Sequence, residues 1–220
     1  MIISNRNIST VPRIKLMNHE LSGMESVKFL GMTLDSKLKF NLHIEQICKK
    51  VSKSIGIIYN IRDLIPAPCL RTLYHSFVYP YLYYCNLIWG GTNQCHLEPL
   101  IILQKRFIRL INFVPPLTHT DPLFSQSKLL KLKEIHRYKC AIYMFKNNLQ
   151  YSFQRSHVYE TRNRNLLNPT YQRLNLSQRS ISFSGPTVWN SLPAEIKDSG
   201  SLESFKRNLK SHLISIQNNV

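Results

Sequence analysis

Carboxylates would most readily disclose a catalyst, and in this chain they are sparse: twelve Asp and Glu against 29 Lys and Arg. The aspartates are Asp35, Asp63, Asp121 and Asp198, and no two of them form a pair at helical or strand spacing. Two-metal phosphoryl or nucleotidyl transfer needs clustered carboxylates that hold ions about 4 Å apart. Glu45, Glu134, Glu160 and Glu195 are equally scattered, among basic neighbours. No glycine-rich phosphate loop, G-x-S-x-G elbow or H-E-x-x-H pair occurs. A Ser/His/Asp triad can be drawn from remote residues, as in any chain this size, but nothing selects one. The sequence nominates no catalytic residue, no metal ligand and no cofactor.

The cysteines do not change that. Cys48, Cys69, Cys85, Cys95 and Cys140 make an odd set without a C-x-x-C pair, whereas zinc sites usually draw on two closely spaced pairs. Mostly buried free thiols are expected instead.

Basic residues carry the positive signal. The formal net charge is +17, an excess that opposes compaction unless it meets an anion. Lys49, Lys50 and Lys53 lie off the apolar stripe of one expected helix, and Lys105, Arg106 and Arg109 off that of another. Such faces suit a phosphate backbone, where contacts are electrostatic and independent of sequence. Taken singly, each cluster is equally an ordinary solvated face. The tyrosines at 79, 81, 83 and 84 can stack on bases, although their apolar neighbours favour a place in the core.

Elements that would position these residues can be read in order. Residues 1–11 are polar and expected to be loosely held. Val11–Leu16 and Val27–Leu34 read as two strands of one hairpin, with Ser22-Gly23 as the turn and Gly31 as a bulge or a close backbone approach. Asn41 is placed to cap a helix running to about Arg62, with Ile44, Ile47, Val51, Ile55 and Ile58 as its buried stripe. Residues 67–90 form the longest apolar run. It is long enough to cross a bilayer, but Arg71, His75, Pro80 and Asn86 would each need a partner in lipid. A core helix kinked at Pro80, with Leu70, Leu73, Phe77, Leu82 and Cys85 inward, is the expectation.

A third helix starts near Pro99 and stops before Pro115-Pro116, and residues 117–127 read as a loop. A fourth helix is expected over about Lys128–Asn147, with Leu132, Ile135, Tyr138, Ile142 and Phe145 inward. Residues 150–180 carry Arg155, Arg162, Arg164, Arg173 and Arg179 with Glu160 as their one acid, and should be extended or ordered against something else. Residues 180–197 read as a short β-like piece, a Gly185-Pro186 turn, and Trp189 and Leu192 as anchors. Ser201 can cap a last helix with Leu202, Phe205, Leu209, Leu213 and Ile216 inward.

The fold class that follows is mainly α: a small β-hairpin, a bundle of about four helices, and a C-terminal extension carrying one further helix. Residues 12–150 form the hairpin and bundle, and residues 151–220 a basic segment ending in that helix. The N-terminus, MIISNRNISTVPRIK, lacks an apolar stretch long enough for a signal peptide. A nuclear or cytoplasmic protein, neither secreted nor membrane-inserted, is expected.

Residues from Val27 onward also resemble a known family. VKFLGMTLD, then LKFNLHIEQICKKVSKSIGIIYNIR, LRTLYHSFVYPYLYYCNLIWG, LEPLIILQKRFIRLI, THTDPLF and GPTVWNSLPAEIK resemble, in order, the end of the reverse transcriptase domain in non-LTR retrotransposons of the jockey type. The likeness spans roughly residues 12–215, with Phe40 where the family more often has tryptophan. It implies a primer-grip role for Lys28, Phe29, Leu30 and Gly31, and a thumb-like role for the helices that follow. It implies RNA or DNA of template–primer type as partner, met through phosphates, and a catalytic palm as a neighbour. The family's Asp-Asp box lies upstream of F-L-G, yet the 28 residues before Phe29 contain no aspartate. The expectation is therefore a palm-less fragment that binds nucleic acid without catalysis. A helical protein-interaction or structural module, and a non-functional relic of a mobile element, stand as the rival readings.

Overall fold

A computed structural model describes residues 14–17, 19–21, 23–149, 166–170 and 172–217, together with Ile3 and Phe153. The expectations for residues 1–11 apart from Ile3, and for Arg155, Arg162 and Arg164, lie outside the described residues.

The two β-like runs do not pair with each other. β1 (Ile14–Leu16) pairs antiparallel with β2 (His19–Leu21), and β3 (Ser26–Phe29) with β4 (Met32–Asp35). Val27–Leu34 is thus a complete hairpin rather than one strand, and Gly31 is part of its turn rather than a bulge. Leu30 and Gly31 have φ of 45° and 78°, and two positive φ values in a two-residue loop match the twist of the flanking strands. The register sets Phe29 opposite Met32, Val27 opposite Leu34 and Lys28 opposite Thr33.

α1 (Asn41–Ile61) buries Ile44, Ile47, Val51, Ile55 and Ile58 as the periodicity requires. Its start is organised differently from the expected Asn41 cap. Phe40 is left-handed with no side-chain cap, and Asp35 accepts the Phe40 amide at 2.7 Å and the Lys37 and Lys39 amides at 3.1 and 3.0 Å. One carboxylate thereby fixes the link from hairpin to helix.

The apolar run 67–90 is not one kinked helix. It forms α2 (Ala67–Phe77), α3 (Tyr79–Tyr83) and α4 (Asn86–Trp89). Proline inside a helix removes one backbone bond and clashes with the preceding turn. The chain instead ends α2 and begins again so that Pro80 lies in the first turn of α3, where its missing N–H costs little. A second break is at Cys85, whose φ is 48°. The buried stripe survives both breaks as Leu70, Tyr74, Val78, Leu82, Asn86 and Trp89, whereas Phe77, expected inward, is 51% exposed.

α5 (Gln94–Ile111) contains Pro99 and buries Leu100, Phe107, Leu110 and Ile111. Residues 117–127 are not all loop, because α6 (Asp121–Gln126) lies within them. α7 (Leu132–Lys146) buries Cys140, Ala141 and Met144 alongside Leu132 and Ile135. Then come α8 (Asn175–Gln178), α9 (Ile181–Asn190), α10 (Ala194–Lys197) and α11 (Leu202–Ile216). The expected β-like piece and Gly185-Pro186 turn are helical instead, both inside α9. A β-carbon at Gly185 would sit 2.7 Å from Met144 Sδ, so this glycine serves the close approach of α9 to α7. Ser201 caps α11 as expected, accepting from the Ser204 amide at 3.2 Å.

α1 packs on α5, and α7 packs on α4, α9 and α11. The apolar core runs without interruption from Met32 and the α1 stripe through Trp89 and Phe107 to Trp189 and Phe205. Phe205 stacks on Phe145 with ring centroids 4.3 Å apart, and on Trp189 at 5.9 Å. Fully burying a side chain of that kind contributes about 1.5–3 kcal/mol. Of the thiols only Cys140 is buried; Cys48 and Cys85 are half-buried, and Cys69 and Cys95 are exposed. Among the described residues no helix is long and apolar enough to cross a membrane.

Candidate functional site

The hairpin is locked onto α1 by polar contacts. Thr33 donates its amide to His43 Nδ1 at 3.4 Å and its hydroxyl to Gln46 Oε1 at 2.8 Å. With Met32 buried beneath, the strand pair projects its tip away from the core. There Lys28 is exposed, as are Phe29 at 59% and Leu30 at 74%. The tip is braced from the far side by Tyr84, whose hydroxyl donates to the Leu30 carbonyl at 2.5 Å. Trp89, fully buried, donates Nε1 to the Tyr84 carbonyl at 2.9 Å and so fixes the backbone that carries the brace.

Between tip, α1 and α3 lies a cleft of about 280 Å³, bordered by Gly31, His43, Ile47, Lys50, Tyr81 and Tyr84. Two residues that the sequence left apart, Gly31 of the F-L-G turn and Lys50 of the α1 cluster, thereby meet. Lys50 Nζ stands 5.4 Å from the centre of the Tyr81 ring, a cation–π distance that orients the ammonium without neutralising it. His43 is buried with its Nε2 unpartnered. Because Nδ1 accepts from Thr33, a neutral ring carries its proton on Nε2 and has a donor to spare. Burial, helped by the nearby Lys50 charge, pushes the His43 pKa down and keeps the ring neutral. Among the described residues no acidic side chain borders the cleft. Its equipment of one cation and two phenol rings suits an oxyanion attached to a planar or apolar group, while His43 Nε2 is itself shielded from solvent.

The remaining candidates separate. Successive helical residues diverge by about 100°, so Lys49 projects away from Lys50, and it is paired with Glu45 at 2.8 Å. Lys53 is exposed one turn further along α1. Lys105, Arg106 and Arg109 lie on α5, outside the cleft. Arg106 is exposed and Lys105 half-buried, while Arg109 donates Nε to the Thr118 carbonyl at 2.8 Å and so holds the loop after α5. Arg179 has a similar duty, donating to Thr92 Oγ1 at 3.3 Å and Asn93 Oδ1 at 2.7 Å. Of the four tyrosines, Tyr79 and Tyr83 stack on each other at 5.3 Å as part of the packing, and Tyr81 and Tyr84 border the cleft. Sequence reasoning missed His43, whose signal was weak: a histidine beside the α1 stripe, one turn before Ile47. Among the described residues no group of three or more His, Cys, Asp or Glu side chains converges to hold a metal.

The chain is 30% identical over 125 residues to the RNA-directed DNA polymerase from the mobile element jockey of Drosophila melanogaster. That match takes in 55% of this chain and 14% of the relative, so the chain spans a small part of the length of the protein it resembles. No protein-family model matches the chain, and no solved structure does. The supported relation is to a retrotransposon reverse transcriptase in general.

Proposed function

We propose that this chain is a thumb-like, backbone-binding part of a retrotransposon reverse transcriptase, with the Lys28–Gly31 tip and the α1 lysines forming its nucleic-acid contact. The observation that carries the reading is the meeting of Gly31, Lys50, Tyr81 and Tyr84 around one cleft. The +17 charge and the similarity to the jockey polymerase support it. In this reading the cleft holds a phosphate against Lys50, and the exposed Phe29 and Leu30 lie against sugar or base. Lys53, Lys105 and Arg106 extend the positive surface along the duplex. The described residues contribute binding and positioning rather than metal chemistry, which a catalytic palm would provide.

Salt dependence tests the proposal. Binding of a labelled template–primer duplex and of a single strand should weaken steeply as salt rises, since each neutralised phosphate adds about 0.7–0.9 to the logarithmic slope. Affinity indifferent to salt would exclude phosphate contacts as the basis of binding.

A further inference from the structure

A second cleft, of about 400 Å³, lies on the face of α7 between α4 and α11. α7 presents to it Lys139, Ile142, Tyr143 and Lys146, which stand at i, i+3, i+4 and i+7 and so share one helical face. Ile88 of α4 and Leu202 of α11 complete an aliphatic floor, and Lys206, one turn beyond Leu202, adds a third ammonium to the rim. Ile88 is 49% exposed and Tyr143 39%. Among the described residues no carboxylate borders the cleft.

We infer that this cleft is a docking groove for an acidic amphipathic peptide helix, with apolar residues of the peptide on the Ile88–Ile142–Leu202 floor and its carboxylates facing Lys139, Lys146 and Lys206. Helix-in-groove recognition reads apolar anchors at i, i+3, i+4 and i+7, and a lysine rim above an aliphatic floor is the complement of such a helix. Of the two tyrosine rings bordering the cleft, Tyr83 and Tyr143, the first is already engaged. Tyr83 has Lys139 Nζ 3.8 Å from its centre and Tyr79 stacked against it. An aliphatic floor also favours peptide side chains over nucleobases, which prefer aromatic platforms. Charge disfavours self-occupation, because a second copy carries the same +17 and residues 150–180 pair five arginines with one glutamate.

The test uses the full chain and a labelled helical peptide with leucines at i, i+3, i+4 and i+7 and glutamates elsewhere. Its controls are a scrambled peptide of equal composition and a single-stranded oligonucleotide of equal charge. The patterned peptide should bind about tenfold tighter than the scrambled one, in line with a few buried anchors dominating affinity. K146E/K206E and, independently, Ile88→Ser should each weaken it about tenfold while thermal melts stay at the wild-type value, since all three sites are exposed or half-buried. Equal binding of both peptides, or variants without effect, would overturn the inference. Loss of oligonucleotide binding alone in K146E/K206E would assign the groove to nucleic acid instead. Duplex binding at the hairpin cleft is read separately with Lys50→Glu, so failure of one site leaves the other standing.

Discussion

The hydroxyl of Tyr84 donates to the backbone carbonyl of Leu30 at 2.5 Å across 54 residues of sequence, joining the tip of the β3–β4 hairpin to the end of α3. Leu30 is a branched residue with φ of 45°, a conformation that costs of order 1–3 kcal/mol unless its surroundings enforce it. The phenol therefore acts as a clamp on a strained turn.

Tyr84→Phe should remove that clamp and little else. The bond is solvent-exposed, so the loss in global stability should be about 1 kcal/mol or less by urea denaturation. Amides of β3 and β4 should exchange faster while those of α7 and α11 keep their protection. Unchanged exchange in the hairpin would show that the tip holds its conformation without Tyr84.

Gln104 predicts a larger effect. Its Nε2 donates to Tyr74 Oη at 3.0 Å and to the Leu130 carbonyl at 2.9 Å, and its Oε1 accepts the Leu132 amide at 2.9 Å, all in the buried interior. Burial pushes the Tyr74 phenol up to about 12, so it stays a neutral partner at any working pH. Gln104→Leu keeps the volume but strands several buried polar groups, each costing about 1–3 kcal/mol. A loss of about 3 kcal/mol or more is expected from denaturant midpoints.

Two glycines should respond to alanine with opposite sign. Nothing lies within 4 Å of a β-carbon built at Gly56, in the exposed middle of α1, so Gly56→Ala should stabilise by about 0.5–1 kcal/mol through helix propensity. At Gly185 the new methyl meets the buried Met144 sulfur at 2.7 Å, and overpacking of that kind costs about 1–3 kcal/mol. Thermal melts of the two variants side by side would separate propensity from packing.

The parts legible in the sequence were those governed by one local rule. The Ile44–Ile58 stripe of α1 and the Ser201 cap of α11 each follow from a few neighbouring residues, and both are present. The break at Cys85 escaped because left-handed backbone at a non-glycine residue leaves little trace in composition, whereas Pro80 does mark the break at Val78 but its local signal does not separate a kink from a new helix start. The Leu30-Gly31 turn escaped because its first residue is apolar rather than the asparagine such turns favour. α9 ran through Gly185-Pro186 because a tertiary contact, Met144 against Gly185, outweighed the local turn signal. The cleft was legible only in pieces. Gly31 and Lys50 could each be named, but bringing them beside His43 and Tyr81 depends on packing between elements far apart in the chain.

Lys50 and Lys49 offer a neighbour-controlled test of the proposed contact. Lys50 borders the cleft beside Tyr81, whereas Lys49 turns away and is paired with Glu45. Lys50→Glu should weaken duplex binding and reduce the logarithmic salt slope by about one phosphate contact. Lys49→Glu should have a smaller effect, although it adds the same charge change. Equal losses would indicate that only net charge matters, and would argue against a formed site.

Acid stability supplies a prediction with a definite sign. Burial lowers the His136 pKa below the ordinary 6.5, only partly opposed by a hydrogen bond from its Nδ1 to the Asn86 carbonyl at 3.2 Å. Burial likewise lowers that of His43. A base with a depressed folded pKa binds fewer protons in the native state than in the unfolded one, so stability rises with pH through that range. The stability present above 6.5 should therefore be lost as the pH falls through that value toward the lowered folded one. His136→Gln removes one titrating ring while keeping a side-chain donor. Its urea midpoint should fall less steeply than the wild-type midpoint between about pH 7 and pH 5, above the range where most carboxylates titrate. His43 still titrates in the variant, so the curve should flatten without becoming level. A wild-type protein that gained stability on acidification across this window would contradict the assignment of both rings as buried and neutral.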